Sequence, residues 1–388
     1  MNKYMPDSIF DVEFSPYKYL VHWDKLNELA SGKDVLPVTL ELDISSKCTH
    51  KCKWCVDPPG SHEGLFMPLL TAISILGESR KLGVKGIVFK GGGESTLHPD
   101  FPRILKAASE QGFETGIVTN GSMLGSDEII DSIVNYSSYV RVSVDGPDKE
   151  SRILTHGADD IEVVINGLRK LVDGRGPERH PIIGATFCID CSMEHLIDKC
   201  IDLGESAGID YVLIRPPFCE EVGYSSSDSI DQIRNLISKI LTAAQMHNGK
   251  THIMAGNWVG DRESEETSIL KNGAELSRRD LGIERKHYNG IEHTTGRCPA
   301  SRLFLLITAD GEVYGCCCLR KISGYSFGKI DYEKGITIET VLQGSQRAES
   351  ISRMENAMCL KHCTHPLAKI NEIIEYLKLP EKHHSSFI

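Results

Sequence analysis

Short apolar runs rich in β-branched residues alternate along the chain with longer amphipathic stretches. The runs that predict strands span residues 37–43, 85–90, 114–119, 139–145, 181–189 and 210–215. Helix-like stretches lie near residues 68–82, 101–112, 126–136, 160–173, 193–207 and 228–247. Because strands and helices alternate, the pattern predicts βαβ units around a parallel sheet. Six such units fit a partial (β/α)6 TIM-like barrel over residues 37–225 better than a closed eight-stranded barrel.

The segments on either side of this barrel have different patterns. Residues 1–36 form an N-terminal lead-in without a strong period, and residues 226–297 contain a helix followed by a polar, glycine-interrupted linker or lid. From residue 298 onwards, two strand-like runs flank Asp310-Gly311, and Asp-Gly between strands is typical of a β-hairpin turn. Residues 298–388 are therefore predicted to form a small C-terminal α+β domain that contains this hairpin.

Composition and charge exclude several classes of protein. The 388 residues are 40% hydrophobic and 25% charged, which is ordinary for a globular chain, and the net charge is −11. An acidic chain argues against a nucleic-acid partner. Because there is no apolar run of roughly 18–20 residues, we expect no membrane span. The first residues, MNKYMPDSIFDVEF, lack the basic and apolar regions of a signal peptide, so we expect a cytoplasmic protein.

The cysteine content is unusual for such a protein. The chain has 13 cysteines, an odd number that cannot pair fully in disulfides. The cytosol keeps thiols reduced, so clustered cysteines in a cytoplasmic protein are more often metal ligands or catalysts. Two clusters stand out, one after the first predicted strand and one near the C-terminus.

The first cluster has the spacing C-x3-C-x2-C, formed by Cys48, Cys52 and Cys55. It follows a predicted barrel strand, at the end of the barrel where this fold places its chemistry. Three thiolates at this spacing suit three corners of a [4Fe–4S] cluster and leave one iron free for another ligand. The alternatives are a zinc knuckle with His50 as the fourth ligand, or simply buried cysteines.

These three cysteines, with Trp54 directly before the last one, resemble the signature of the radical S-adenosylmethionine (SAM) superfamily. The resemblance extends over about residues 37–225. It implies that the free iron binds the amino and carboxylate groups of SAM. Reductive cleavage of SAM would then give a 5′-deoxyadenosyl radical that takes a hydrogen atom from the substrate. It also implies a flavodoxin- or ferredoxin-type electron donor.

Further segments resemble SAM-binding motifs of that family. Gly92, Gly93 and Glu94, in the sequence GGGE after the second strand, would receive the SAM ammonium group with their backbone and carboxylate. The resemblance implies that four residues after the third and fourth strands line the SAM site: Asn120, Ser143, Asp145 and Arg152. Ser143 would bind the carboxylate or the ribose of SAM, and Arg152 would bind the carboxylate. For Asn120 and Asp145, ordinary turn chemistry is the alternative.

The second cluster consists of Cys298, the run Cys316-Cys317-Cys318, Cys359 and Cys363. The predicted hairpin brings Cys298 towards the run, and four thiolates would ligate a second iron–sulfur cluster. The stretch CPASRLFLLITADGEVYGC resembles the hairpin of SPASM and Twitch auxiliary domains, and implies the shorter Twitch type with one auxiliary [4Fe–4S] cluster. Structural zinc at the same thiolates is the alternative. Side-chain alternation along a strand favours Cys316 as the ligand within the run.

The remaining cysteines suggest a hydrogen donor. Cys191 follows the fifth predicted strand and Cys219 follows the sixth. Since residues at strand ends face the active site in barrels, we expect that one of these two thiols, or a spare member of the run, returns a hydrogen atom to a substrate radical. The alternative is that they are small buried hydrophobic residues.

Three reaction classes fit this set of motifs. The first is oxidation of a polar small molecule such as a sugar or aminocyclitol, with the auxiliary cluster as electron acceptor. The second is redox-neutral epimerisation with a cysteine donor, and the third is modification of a ribosomal peptide. Candidates for the general base are Arg215, Glu220, Glu221 and His252. A non-catalytic iron–sulfur carrier or zinc scaffold is a fourth hypothesis, but neither would need the GGGE and SVDG motifs.

Overall fold

The computed structural model describes residues 16–55, 57, 64–176, 180–217, 229–256, 298–354 and 367–378. In these residues one sheet has the strand order β10-β9-β8-β1-β2-β3-β4-β5-β6-β7. The strands are β1 (Thr39–Leu42), β2 (Gly86–Phe89), β3 (Glu114–Thr119), β4 (Tyr139–Ser143), β5 (Ile182–Cys188), β6 (Tyr211–Arg215), β7 (His252–Ala255), β8 (Phe304–Ile307), β9 (Glu312–Tyr314) and β10 (Gly328–Lys329).

The α-helices that alternate with β1 to β7 cover one face of this sheet, and further α-helices precede β1 and follow β10. They are α1 (Trp23–Ala30), α2 (Leu69–Lys81), α3 (Phe101–Glu110), α4 (Asp127–Tyr136), α5 (Lys149–His156), α6 (Ile161–Gly174), α7 (Ile197–Ala207), α8 (Ile230–Met246), α9 (Ile338–Gln343), α10 (Ser345–Met354) and α11 (Leu367–Lys378). No helix in the described part of the chain is long and apolar enough to cross a membrane.

The parallel pairing of β1 to β7 confirms the predicted partial barrel. The sheet is not closed, since β7 and β10 stand at its two ends among the described strands. The structure adds β7 as a seventh parallel strand beside β6. The sequence pattern missed β7 because this strand has four residues, of which only Ile253 is buried. So short a run does not show a period.

Alternation along the strands separates an apolar face from a polar one. Residues that face the helices are fully buried in one hydrophobic core, as Leu40 and Leu42 of β1 and Ile183 and Phe187 of β5 show. Because side chains alternate along a strand, the intervening residues face the inside of the barrel. These inward residues include Glu41, Lys90, Arg141, Thr186 and Arg215, so the barrel interior is polar and charged.

The predicted hairpin is confirmed, and it belongs to the barrel sheet. Strands β8 and β9 pair antiparallel, and Gly311 in the turn has φ 91°, which favours glycine. Strand β8 also pairs parallel with β1, with Leu40 opposite Leu305. The hairpin therefore extends the sheet beyond β1, an arrangement that periodicity alone does not predict.

A second apolar cluster lies on the outer side of this hairpin. Helices α1 and α11 pack together there, through side chains such as Leu26, Leu29, Ile370 and Ile374. Phe304 and other hairpin residues complete the cluster. Part of the N-terminal lead-in is thus a helix that packs against the C-terminal segment.

Candidate metal centre

The cysteine loop, residues 48–55, lies at the carboxyl end of β1, where parallel strands of a barrel place their chemistry. Its backbone is held by the last turn of α5, because the N–H groups of Lys51 and Lys53 donate to the carbonyls of His156 (3.0 Å) and Thr155 (2.8 Å). The loop is thus attached to α5 by two main-chain hydrogen bonds, whose donors lie between its cysteines in the sequence.

The loop carries three thiols, the number that a [4Fe–4S] cluster with one open iron requires. Cys48 and Cys52 are half-buried and Cys55 is exposed. Burial raises the pKa of all three thiols above the ordinary value, so each keeps its proton near neutral pH until a metal displaces it. Asn120 Nδ2 lies 3.7 Å from Cys48 Sγ and donates to it, which supports a thiolate at that position.

A pair of histidines stands behind Cys52. The Nδ1 atoms of His50 and His156 are 2.9 Å apart, and His156 Nδ1 is 3.5 Å from Cys52 Sγ. Each Nε2 lies 2.9 Å from a carboxylate oxygen, Asp160 for His50 and Asp145 for His156. Since carboxylates only accept, each Nε2 carries its hydrogen, and the two Nδ1 atoms face each other beside the Cys52 thiol.

The grouping of the two histidines with Cys52 also bears on the zinc alternative. Cys52 Sγ and one ring nitrogen each of His50 and His156 lie within 4.8 Å of one another, a grouping able to hold a single metal ion. The bonds to Asp160 and Asp145 match the carboxylate–histidine pattern that orients metal ligands. The zinc alternative thus involves His156 as well as His50, a partner that the sequence spacing did not reveal.

The glycine turn, residues 91–94, packs directly on the start of the cysteine loop. Glu94 N–H donates to the Lys47 carbonyl at 2.8 Å, and a Cβ on Gly93 would overlap that carbonyl. Gly91 has φ 104°, and a Cβ there would overlap the Asp43 carboxylate. The glycines are therefore needed for the close approach of two backbones, as the resemblance to the GGE motif implied.

The Glu94 carboxylate joins the glycine turn to the loop after β3. It is 3% exposed and accepts from Thr96 N–H (3.1 Å), Thr96 Oγ1 (2.6 Å), Thr119 Oγ1 (2.7 Å) and Asn120 N–H (2.7 Å). Four donors fix its orientation. A contact of Glu94 with the SAM ammonium group stays a prediction, and Gly92 and Gly93 lie beside it at the same end of the sheet.

Arg152 departs from its predicted role at the SAM carboxylate. It is fully buried, and its Nε donates to Asp160 at 2.9 Å. Its Nη atoms donate to the carbonyls of Ser143 (2.9 Å), Val144 (2.8 Å) and Asn120 (2.7 Å). The guanidinium is therefore occupied by protein acceptors and links the loops after β3 and β4 to the histidine pair.

Asp145 is likewise a structural partner of the histidine pair. It has φ 54°, a left-handed conformation that Asp tolerates, and its Oδ1 accepts from Cys188 N–H at 2.7 Å. Burial opposes its charge, but the hydrogen bond from His156 lowers its pKa below the ordinary value. The turn-chemistry alternative thus accounts for Asp145. Ser143 ends β4 on the inward side, and its binding to SAM stays a prediction.

Trp54 is half-buried and packs against the main hydrophobic core. The Lys53 ammonium lies 4.8 Å from the centre of its ring, within cation–π range. These contacts anchor the end of the cysteine loop, and a role of Trp54 beside SAM stays a prediction.

The cysteine run, residues 316–318, brings three thiols together by a different local geometry from the one predicted. Strand β9 ends at Tyr314, and residues 317–319 form a 3-10 turn, so strand alternation does not apply to the run. All three sulfurs lie within 4.8 Å of one another. The argument that only Cys316 and Cys318 share a side is therefore wrong, and all three thiols remain candidate ligands.

The other predicted auxiliary ligands are only partly visible. Cys298 is buried, and Asn371 Nδ2 of α11 donates to its sulfur at 3.2 Å. Cys359 and Cys363 lie outside the described residues. A cluster held by Cys298, Cys316, Cys359 and Cys363 stays a prediction.

Among the expected hydrogen donors and bases, Cys191 opens the 3-10 turn after β5 and is half-buried. Cys219, Glu220 and Glu221 lie outside the described residues. Arg215 and His252 face the barrel interior by strand alternation and are half-buried. Cys188, at the end of β5, also faces inward and is 1% exposed, and burial raises its pKa to about 12.

Sequence reasoning missed an ion pair inside the barrel. Lys90 Nζ lies 2.8 Å from Glu41 Oε2, and Glu41 is 2% exposed. Burial raises the pKa of Glu41, while the charge of Lys90 opposes that rise. Arg320, two residues after the cysteine run, contacts Asp43, two residues after Glu41, so this pair lies near the run. Among the described residues, Glu41 Oε1 has no hydrogen-bond partner. The sequence held a signal for this pair, because Glu41 in β1 and Lys90 directly after β2 are charged residues at alternate positions of two apolar strands.

Comparisons with known proteins agree with this geometry. Residues 42–187 match the family described as Radical SAM superfamily. The tungsten-containing aldehyde ferredoxin oxidoreductase cofactor-modifying protein of Pyrococcus furiosus is 26% identical over 220 residues, covering 54% of this chain and 60% of that protein. The probable GTP 3′,8-cyclase of Methanocaldococcus jannaschii is 27% identical over 228 residues, covering 56% of this chain and 73% of that protein. The chain thus matches only part of each relative.

One solved structure has a similar fold over nearly the whole length of this chain. The crystal structure of Streptococcus suis SuiB bound to precursor peptide SuiA has a TM-score of 0.62 and 16% identity to this chain. The match covers 98% of this chain and 81% of that one. At this identity the similarity concerns the fold.

Proposed function

Residues 42–187 are a radical SAM domain, and from this premise we propose that the protein oxidises a polar small molecule such as a sugar or an aminocyclitol. The enzyme uses a [4Fe–4S] cluster and SAM, which together supply a radical that takes a hydrogen atom from the substrate. Cys48, Cys52 and Cys55 would hold this cluster, with the glycine turn beside it. The cysteine run supports a second, auxiliary cluster.

One observation supports oxidation above the other reaction classes. The three thiols of the cysteine run lie within 4.8 Å of one another, and Arg320, two residues after the run, contacts Asp43, two residues after Glu41 of the Glu41–Lys90 pair. Oxidation of an alcohol releases a hydrogen atom from carbon, a proton from oxygen and one further electron. An iron–sulfur cluster at the C-terminal cysteines is an electron acceptor of matching chemistry, next to a charged interior suited to a polar substrate.

We assign the proton acceptor to Glu41. Its Oε1 lacks a hydrogen-bond partner among the described residues, while Oε2 is paired with Lys90 at 2.8 Å. Burial raises the pKa of Glu41, which brings a carboxylate closer to the range useful for a general base. Lys90 holds the carboxylate in place from the neighbouring strand.

Epimerisation is the second candidate, and a different residue favours it. Cys188 faces the barrel interior, is 1% exposed and has a pKa raised to about 12 by burial, so its sulfur keeps its hydrogen. A protonated thiol is the form that donates a hydrogen atom. Cys188 therefore joins Cys191 as a candidate donor at the end of β5, and Cys219 lies outside the described residues.

Modification of a peptide is an alternative suggested by the shared fold, since the similar SuiB structure contains a precursor peptide. The electron donor in our proposal is of the flavodoxin or ferredoxin type, and the site of action is the cytoplasm. A peptide substrate and a small-molecule substrate are distinguished by the size of the compound that stimulates SAM cleavage.

The first test is the iron and sulfide content of the Cys48→Ala/Cys52→Ala/Cys55→Ala variant after anaerobic reconstitution. We expect about four irons per chain to remain, as one auxiliary [4Fe–4S] cluster requires. Loss of all iron with uptake of zinc would make the C-terminal site structural and would favour a redox-neutral reaction.

The second test separates oxidation from epimerisation once a substrate is found. In D2O, oxidation yields a product without solvent deuterium at the reacting carbon. Solvent deuterium at an inverted stereocentre would instead identify a thiol donor, and loss of that label in Cys188→Ser would identify Cys188.

A further inference from the structure

Arg320 joins the two cysteine-bearing regions of the molecule. It follows Cys318 by two residues, and its side chain is 4% exposed. Its Nη1 donates to Asp43 Oδ2 at 2.6 Å, and its Nε lies 3.2 Å from Asp57 Oδ1. The two carboxylates are themselves 1% and 7% exposed. One buried guanidinium thus contacts two acids from the other end of the chain.

Both acids contact the candidate SAM and cluster site. Asp43 directly follows β1, and its Oδ2 also accepts from Gly92 N–H in the glycine turn at 3.1 Å. Asp57 follows Cys55 by two residues, and its backbone N–H is hydrogen-bonded to the Cys55 sulfur. Arg320 is therefore linked to the glycine turn through the Asp43 side chain, and to the end of the cysteine loop through Asp57.

The glycine turn packs directly against the ion pair of Arg320 and Asp43. A Cβ on Gly91 would overlap both the Asp43 carboxylate and the Arg320 guanidinium. A guanidinium presents a planar fork of donors that can meet two carboxylates at once, whereas a lysine ammonium is a point charge on a flexible stem. Removing Arg320 would leave two buried carboxylates without their cation.

We propose that Arg320 is a positioning residue of the first site: through Asp43 and Asp57 it fixes the glycine turn and Cys55, so that the C-terminal segment completes the SAM site. This inference rests on the proposed function for the identity of the ligand. It goes beyond that function because it makes SAM binding depend on a residue outside 42–187. The cysteine run and the cysteine loop are then mechanically connected by one side chain.

The test compares Arg320→Lys and Arg320→Gln with Arg347→Gln in the full-length chain. Arg347 is a matched control, since it is also an arginine of the C-terminal region paired with an aspartate, Asp34. Its hydrogen bonds go to Asp34 and to the Leu342 carbonyl, and neither residue belongs to the cysteine loop or the glycine turn. The first readout is amide hydrogen exchange at Gly92 in the metal-free chain, which needs neither cluster nor SAM. The second is the dissociation constant of SAM for the reconstituted protein, measured from the change in the EPR spectrum of the reduced cluster.

We expect both Arg320 variants to lose exchange protection at Gly92 and to bind SAM more weakly, by about 10–100-fold, the usual effect of removing a residue that orients ligands. Arg347→Gln should leave both readouts within twofold of the unaltered chain. Arg320→Lys keeps the buried positive charge, so its fold is retained if Arg320→Gln unfolds.

Unchanged Gly92 exchange in Arg320→Lys would overturn the proposal, whatever the metal content. Failure of the unaltered chain to assemble iron or to bind SAM would instead overturn the proposed function, while the exchange readout would still decide the role of Arg320. If Arg347→Gln weakened SAM binding by the same factor as the Arg320 variants, the cause would be a general loss of stability. That result would also overturn the proposal.

Discussion

The cysteine loop and the cysteine run each carry three thiols, and the chain positions them in different ways. In the loop the cysteines are spread over eight residues, and groups from other elements hold them: the end of α5, His156 and Asn120. In the run the cysteines are consecutive, and one 3-10 turn after β9 gathers their sulfurs within 4.8 Å. The loop therefore depends on distant parts of the chain, whereas the run is built from its own backbone.

The largest expected difference between the two regions concerns SAM cleavage. In our proposal Cys52 is a ligand of the cluster that binds SAM, so we expect Cys52→Ala to abolish cleavage of SAM under reducing conditions. Cys318 is exposed, and Cys318→Ala leaves two neighbouring thiols in the run. We expect this variant to cleave SAM at a rate within about twofold of the unaltered chain. Equal loss in both variants, measured as 5′-deoxyadenosine by chromatography, would contradict separate roles for the two regions.

The next difference is in stability. Arg152→Met leaves three buried carbonyls and Asp160 without their donor, and breaking a buried ion pair costs about 3–5 kcal/mol. Arg347→Met breaks an ion pair whose partner Asp34 is 55% exposed, so we expect a loss of about 1–2 kcal/mol. Urea unfolding of the metal-free chains, followed by tryptophan fluorescence, measures both. A smaller loss for Arg152→Met would mean that the loop is not held by its distant partners.

A pair of carboxylates gives a smaller contrast of the same kind. Glu94→Gln places an amide where four donors converge, which we expect to cost about 1–3 kcal/mol, the penalty for unsatisfied buried groups. Asp310→Asn in the hairpin turn weakens a contact with Lys329 at the surface, where the expected loss is about 0.5 kcal/mol. The shift in urea midpoint of each variant is the measurement, and equal shifts would contradict the contrast.

The smallest expected effect is a dependence on pH. Burial opposes the charge of Asp160, but hydrogen bonds from His50 and Arg152 lower its pKa below the ordinary value. A lowered folded-state pKa contributes stability above the unfolded pKa of about 4, and this stability is lost as the pH falls through the folded value. The difference in Tm between the metal-free chain and Asp160→Asn should therefore narrow below about pH 4.

Asp331→Asn is the control for this effect. Asp331 lies in the C-terminal region and pairs with Lys334 at the surface. Its Tm difference from the unaltered chain should be small at every pH. A difference for Asp160→Asn that stays constant, or widens on acidification, would show that Asp160 is not held as a carboxylate by the histidine pair.

Local features were predictable from the sequence because they depend on neighbours in the chain. Apolar periodicity predicted β1 to β6, and Asp310-Gly311 predicted the hairpin. The spacing of Cys48, Cys52 and Cys55 predicts a shared ligand set, which stays a prediction, and the glycine turn lies where it was expected, directly after β2. Each of these is encoded within about ten residues.

Contacts between distant segments could not be predicted in this way. Arg152 was expected to face SAM, but its neighbours in space are carbonyls from two other loops, and spacing along the chain does not reveal them. The same holds for His156 behind Cys52 and for Arg320 between Asp43 and Asp57. The cysteine run was misjudged for a local reason, because strand alternation was extended past the last residue of β9.

The pairing of β8 with β1 has a consequence for the order of events during synthesis. Strand β1 is made early, but one of its two hydrogen-bonding partners, β8, emerges from the ribosome only after most of the chain. Until then the edge of β1 next to the cysteine loop is open, and the guanidinium of Arg320 is absent. Delivery of iron and sulfide to the cysteine loop is therefore best completed after translation, whereas a chaperone that shields the open edge would have its greatest effect before β8 emerges.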